Sequence, residues 1–187
     1  MAKARPIHGL TEDDPYALAG ARIIALRASE LSDHAAGVLD VSDIERVHDM
    51  RVATRRLRAA LEVFEPCFPP KRFKAALREV KELADALGER RDRDVTIAAL
   101  EGFATAMGRA DRPGIESLIG QVHIEQAEAN EALGPFVTEQ RLDALQGRLA
   151  DLVADVAPSG ADGAAKAPAM ELAARPTTNG AGEENEG

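Results

Sequence analysis

The chain has 187 residues, no tryptophan, one tyrosine and one cysteine, and no long apolar run. A single cysteine, Cys67, excludes an internal disulfide and fits a reducing compartment. It lies in Pro66-Cys67-Phe68-Pro69-Pro70, a loop-forming segment, and the sequence supplies no base to activate the thiol. No stretch approaches the ~20 apolar residues of a membrane span, and residues 1–10 lack the apolar centre of a signal peptide. A cytoplasmic protein with no membrane partner is expected. Also missing are a glycine-rich phosphate loop, a nucleophile beside its base and paired metal carboxylates, so enzymatic activity is not expected.

Charge is plentiful and uneven. The net charge is -9, which alone would argue against a polyanionic partner. Between Arg46 and Lys81, however, ten Lys or Arg face four Asp or Glu, a local excess of six positive charges. The remaining surface is strongly acidic and repels nucleic acid everywhere except at this patch.

The basic residues are also periodic. His48, Arg51, Arg55 and Arg58 are spaced by three, four and three residues, and Lys71, Lys74, Arg78 and Lys81 repeat the pattern 23 residues later. Such spacing places each quartet on one stripe of a helix. Met50, Ala53, Leu57, Ala60, Leu61 and Phe64 form the opposite, apolar face of the first helix, as do Phe73, Ala76, Val80, Leu83 and Leu87 in the second. Stacked like charges destabilise a helix. The first stripe meets an acid only at Glu62 and the second only at Asp85, each at its far end. A functional anion-binding surface therefore fits better than an ordinary solvated face, which mixes signs.

Helix signals recur along the chain, whereas strand signals do not. Asp14-Pro15 opens a helix reaching about Leu39, and Ser42 with Glu45 makes a capping box for the next, which stops near Glu65. A third runs from about Pro70 to Leu87 with Gly88 as its stop, and a fourth from about Asp92 to Met107. Two more span Pro113 to Leu133 and Thr138 to Ala157. An all-α antiparallel bundle of about six helices is expected over residues 12–157, after an arm at 1–11. In residues 158–187 twenty of thirty positions are Ala, Gly, Pro or Glu, the composition of a disordered tail.

His48 invites three other chemistries. Glu45-x-x-His48 has the spacing of a carboxylate and imidazole in di-iron bundles, but neither His34 nor His123 supplies the second pair such sites need. No metal or cofactor is expected. Catalysis would need an orienting partner, and Asp49 lies about 100° away around the helix. Histidine phosphotransfer remains as an alternative function, although Val52 stands after Arg51 where such domains use a small residue. A helical adaptor for an acidic protein is a further possibility. The stripes themselves suit a line of phosphates, since Arg offers forked donors and Lys a mobile charge. Readers of single-stranded nucleic acid add aromatic platforms, and Tyr16 is in the wrong helix, so nucleic acid is an unlikely partner.

Val47-His48-Asp49-Met50-Arg51-Val52-Ala53-Thr54-Arg55-Arg56-Leu57-Arg58, Glu79-Val80-Lys81-Glu82-Leu83, Leu87-Gly88 and Arg91-Asp92-Arg93-Asp94-Val95 resemble, in order and spacing, the signature blocks of the CHAD domain, the conserved histidine α-helical domain. The resemblance spans roughly residues 12–157. It implies an all-helical domain that binds inorganic polyphosphate through its histidine and the Arg and Lys around it, often at polyphosphate granules or beside triphosphate-processing domains. His48, Arg51, Arg55, Arg58 and Lys81 match motif positions, while Lys74 and Arg78 rest on the stripe and Arg56, Lys71 and Arg91 form a second rank. Arg91 and Asp92 are expected to be structural, with Asp92 capping the following helix and Arg91 tying the turn to it. The family's full domain has two similar helical halves, of which this chain supplies the first. Two copies could rebuild the groove as a homodimer.

Overall fold

A computed structural model of the chain describes residues 3–108 and 110–156. The tail expected at 158–187 lies outside the described residues. Among those described, there are five α-helices and no strand: α1 (Tyr16–Asp33), α2 (Ile44–Phe64), α3 (Pro70–Ala106), α4 (Arg112–Leu133) and α5 (Glu139–Ala154), with short 3-10 turns at Glu65–Cys67 and Gly134–Phe136. α1 and α2, α2 and α3, and α3 and α4 run antiparallel, and α5 also runs antiparallel to α3, further toward its start. α1 packs on α2 and α5, and α3 packs on α2, α4 and α5.

Helix ends differ from expectation where local chemistry has another outlet. Asp14 accepts hydrogen bonds from the Thr11 backbone and from Arg22 (2.9 and 3.2 Å) and does not cap α1. Ser42 donates both its backbone N–H and its hydroxyl to Asp40, at 2.9 and 2.7 Å, so no capping box forms and Asp43 flanks α2 instead. α1 stops at Asp33, ahead of the positive φ of 71° at Gly37. At α5 the expected cap is present, with Thr138 accepting from the Arg141 backbone at 3.2 Å.

The larger correction concerns α3. The two helices expected to meet at Gly88 are one helix of 37 residues, about 55 Å long at 1.5 Å per residue. Gly88 has no positive φ and terminates nothing. The buried residues explain the continuity: Phe73, Ala76, Val80, Leu83, Leu87, Arg90, Asp94 and Ile97 alternate steps of three and four without a break. Two of these core positions are charged. Asp92, expected as a cap, is exposed inside the helix, where its carbonyl accepts from Thr96 at 2.8 Å.

The apolar core gathers Ile24 and Leu31 of α1, Met50, Leu57 and Leu61 of α2, Phe73, Val80 and Leu87 of α3, and Leu149 and Leu152 of α5. Each such side chain contributes roughly 1.5–3 kcal/mol when fully buried. Gly20 lets α1 and α2 approach closely, because a Cβ there would stand 2.6 Å from the Phe64 ring.

Beyond Leu87 the α3–α4 hairpin is held differently. Arg90 and Asp94, 0% and 1% exposed, hydrogen-bond one another. Arg90 also donates to Asn130 at 3.2 Å and Gln126 donates to Asp94 at 2.6 Å. Asn130 in turn donates to the Leu39 carbonyl at 3.0 Å, tying the hairpin to the α1–α2 connection. Burial, with the neighbouring charge of Arg91, pushes the Arg90 pKa down from the usual guanidinium value.

Removing one buried partner strands the other charge. Asp94→Leu should therefore cost about 3–5 kcal/mol in urea unfolding, and Arg90→Met combined with Asp94→Leu should recover most of that loss. A loss in the double variant equal to the sum of the losses from Asp94→Leu and Arg90→Met alone would show that the two charges act independently.

Candidate anion-binding groove

α2 directs Val47, Met50, Ala53, Thr54, Leu57, Ala60, Leu61 and Phe64 into the core. That choice leaves Arg51, Arg55 and Arg58 on the flank facing α3. Because α2 and α3 are antiparallel, residues meet in reverse order along the seam: Arg58 and Glu62 lie by Lys81, the arginines by Ala84 and Asp85, and Arg51 by Gly88. Arg51, Arg55, Arg58, Ala84 and Asp85 line a polar cleft of about 140 Å³.

Arg51 sits deepest. Its Nε is buried without a hydrogen-bond partner. A Cβ on Gly88 would stand 3.8 Å from that nitrogen, an ordinary van der Waals contact, so Gly88 marks where α3 passes Arg51. A glycine inside a helix costs about 1 kcal/mol relative to alanine, and no positive φ explains this one. Ala84 in the lining and Gly88 beside Arg51 are small residues on the α3 side of the cleft, a placement that the charge pattern alone did not reveal.

Acids occur within the groove as well as at its ends. Glu62 accepts from Arg58 at 3.0 Å and stands 3.6 Å from Lys81, bridging the two helices. Asp85 lies beside the three arginines. Both residues were expected at the far ends of their stripes, but antiparallel packing turns the end of one helix into the flank of the other. Glu82 is a further acid, 3.7 Å from Arg78 and 3.4 Å from Arg141. The hydrogen bond from Arg58 holds the Glu62 carboxyl below the ordinary carboxylate range; partial burial opposes the shift, and the charges of Arg58 and Lys81 add to it. A lowered pKa keeps the carboxylate charged, so its pairing is present above the ordinary value of about 4.3 and is lost only as pH falls through the lowered one.

The remaining expected residues divide by position. Lys71, Lys74 and Arg78 are exposed and extend the basic face along the first turns of α3, outside the lining of the cleft. Arg56 is half-buried and has an interaction of its own. Arg91 does not tie a turn; from inside α3 it donates to the Ile44 carbonyl at 3.4 Å and stands 3.9 Å from Glu45, fixing α3 against the start of α2. His48 is half-buried at the same end. Asp49 is a near neighbour: ligand atoms of Glu45, His48 and Asp49 all lie within 4.8 Å of one another, a bound wider than a hydrogen bond.

The CHAD domain family matches residues 22–179, most of the chain, and the chain belongs to that family. The match extends past the domain end expected at residue 157, into residues outside those described. The family is associated with polyphosphate. No curated protein matches the chain. No described helix is long and apolar enough to cross a membrane.

Glu62 occupies cations that an external anion would otherwise use. Glu62→Gln should strengthen binding of an inorganic polyanion roughly two- to fivefold, corresponding to the ~0.4–1 kcal/mol of an exposed ion pair, with little change in melting temperature. Isothermal titration of both proteins checks this, and weaker binding in the variant would mean that Glu62 serves the ligand and does not compete with it.

Proposed function

We propose that the α2–α3 groove binds inorganic polyphosphate, and that the protein is a binding module without catalytic activity. The observation that carries this reading is the convergence of Arg51, Arg55 and Arg58 on one cleft whose innermost donor, Arg51 Nε, is buried and unpartnered. An unsatisfied guanidinium donor calls for an acceptor, and a phosphoryl oxygen is the acceptor that the forked geometry of arginine suits best.

Length favours a chain over a single ion. From Arg51 to Arg58 is about 10 Å of helix at 1.5 Å per residue, and Lys81, Arg78 and Lys74 continue the basic face beyond it. His48 lies at the opposite end of the same stripe. Such a line of cations matches successive phosphates and asks nothing of bases or sugars. The single tyrosine is engaged elsewhere: Tyr16 donates to the Val63 carbonyl at 2.9 Å and packs on Phe64, at the α1–α2 end, so it offers no platform for a base in the groove.

The reading extends to assembly and place. One pair of helices forms one wall of a groove, and a second copy could supply the other, so ligand and homodimer would promote one another. Residence at polyphosphate granules in the cytoplasm would follow from the ligand.

Changing Arg51, Arg55 and Arg58 together to Glu should abolish binding of a defined-length polyphosphate while leaving circular dichroism and melting nearly unchanged, since all three avoid the core. Wild-type affinity should fall steeply with salt, as counterion release requires. Retained binding in the triple variant would move the site elsewhere.

A further inference from the structure

We propose that the α2–α3 groove seats the end of a polyphosphate chain and not its middle; the inference rests on the polyphosphate reading above and adds a direction to it. The groove is stopped at one end and open at the other. At the stopped end Arg91 reaches across from α3, with its side chain 17% exposed, donates to the Ile44 carbonyl at 3.4 Å and stands 3.9 Å from Glu45. Ile44 lies seven residues before Arg51 and eleven before Arg55, so at helical periodicity it continues the stripe of the groove arginines. The contact therefore closes the seam about two turns beyond Arg51, the deepest of the cations.

Charge reinforces the stop. Beside the contact, Asp33, Asp43, Glu45 and Asp49 line one cleft of about 200 Å³ in which Arg46 is the single guanidinium. Arg46 is already engaged, donating to Asp43 at 3.0 Å and to the Ala36 carbonyl at 2.9 Å. Side-chain polar atoms of Glu45 and Asp49 stand within 4.8 Å of one another and of His48, well inside the ~8 Å over which physiological salt screens charge. A phosphate chain continuing past His48 would meet that repulsion almost in full. In the opposite direction the track stays cationic. Arg55, Arg58 and Lys81 follow Arg51, and the exposed Arg78, Lys74 and Lys71 carry it along the first turns of α3. Acids on this side are matched, with Glu62 between Arg58 and Lys81 and Asp85 beside three arginines.

A terminal phosphate suits the stopped end by its chemistry. Like a phosphate monoester it has three outward oxygens and a second ionisation near pH 6, whereas an internal unit, bridged on both sides, has two such oxygens and one charge. The donors at this end are the ones left over: Arg51 Nε is buried without a partner, and His48 stands half-buried one turn before it on the same stripe. An internal unit seated at Arg51 would have to extend both ways, and one of those ways is shut. A terminal unit extends only toward Arg55 and Arg58, where the cations continue.

Saturating three linear polyphosphates of doubling length with the full-length protein, and weighing the complexes by light scattering, tests the direction. The number of protein chains per polymer should be the same for all three, because each polymer offers the same two ends. Coupling both terminal phosphates to a bulky amine should weaken binding at least roughly tenfold, since it removes charge and blocks the oxygens that the arginine donors would meet. In Glu45→Lys combined with Asp49→Lys, which removes the like charge and the partner of Arg91, the number should rise with length, with melting curves confirming the fold. Protein per polymer that grows with length in wild type, or undiminished binding of the end-coupled chains, would overturn end capture and leave a groove for internal segments. A number still constant in the folded variant would overturn the part given to the carboxylates. Failure of all three polymers to bind would refute the groove reading itself.

Discussion

The pair formed by Arg90 and Asp94 governs the arrangement of everything near the groove. These two residues take core positions in a repeat otherwise filled by apolar side chains, where they hydrogen-bond one another and are joined by Asn130 and Gln126, while one nitrogen of Arg90 and one oxygen of Asp94 stay buried without a partner. With the repeat unbroken, α3 remains one rod. Its register against α2 is then set at two places, by Leu87 in the core and by Arg91 on the first turn of α2. Gly88 falls between those anchors and Asp85, Ala84 and Lys81 precede them, together the α3 contribution to the seam.

Electrostatics in that seam are balanced, not simply positive. Three arginines and a lysine converge, and two carboxylates are set among them. Without those acids the two basic flanks would repel across the seam in the free protein. With them the facing positive charges are partly offset, and the cations remain available because an exposed ion pair is worth little.

Much of this was legible in the sequence. Periodic apolar residues located α1, α2, α4 and α5, and the basic spacing put Arg51, Arg55 and Arg58 on one stripe of α2, the one that faces α3. What stayed hidden had a physical cause in each case. Gly88 is a helix stop in most contexts, and here its neighbours at core spacing, Arg90 and Asp94, carry charge, so hydropathy patterning ended the helix where packing continued it. The capping box failed because Asp40 captured Ser42 first. The placement of Glu62 and Asp85 depends on pairing between helices, which spacing within one helix does not encode. The gathering of Glu45, His48 and Asp49 likewise depends on side-chain reach more than on angular position.

Glu62 has a consequence for selectivity. Bound to Arg58 and close to Lys81, it behaves as a tethered competitor whose effective concentration is fixed by the fold and not by the solution. A small free anion must displace it unaided. A chain already seated at Arg51 and Arg55 delivers its next charged unit to Arg58 at a comparably high effective concentration. On the polyphosphate reading proposed above, the carboxylate would therefore set a threshold in connectivity, disfavouring isolated anions more than linked ones.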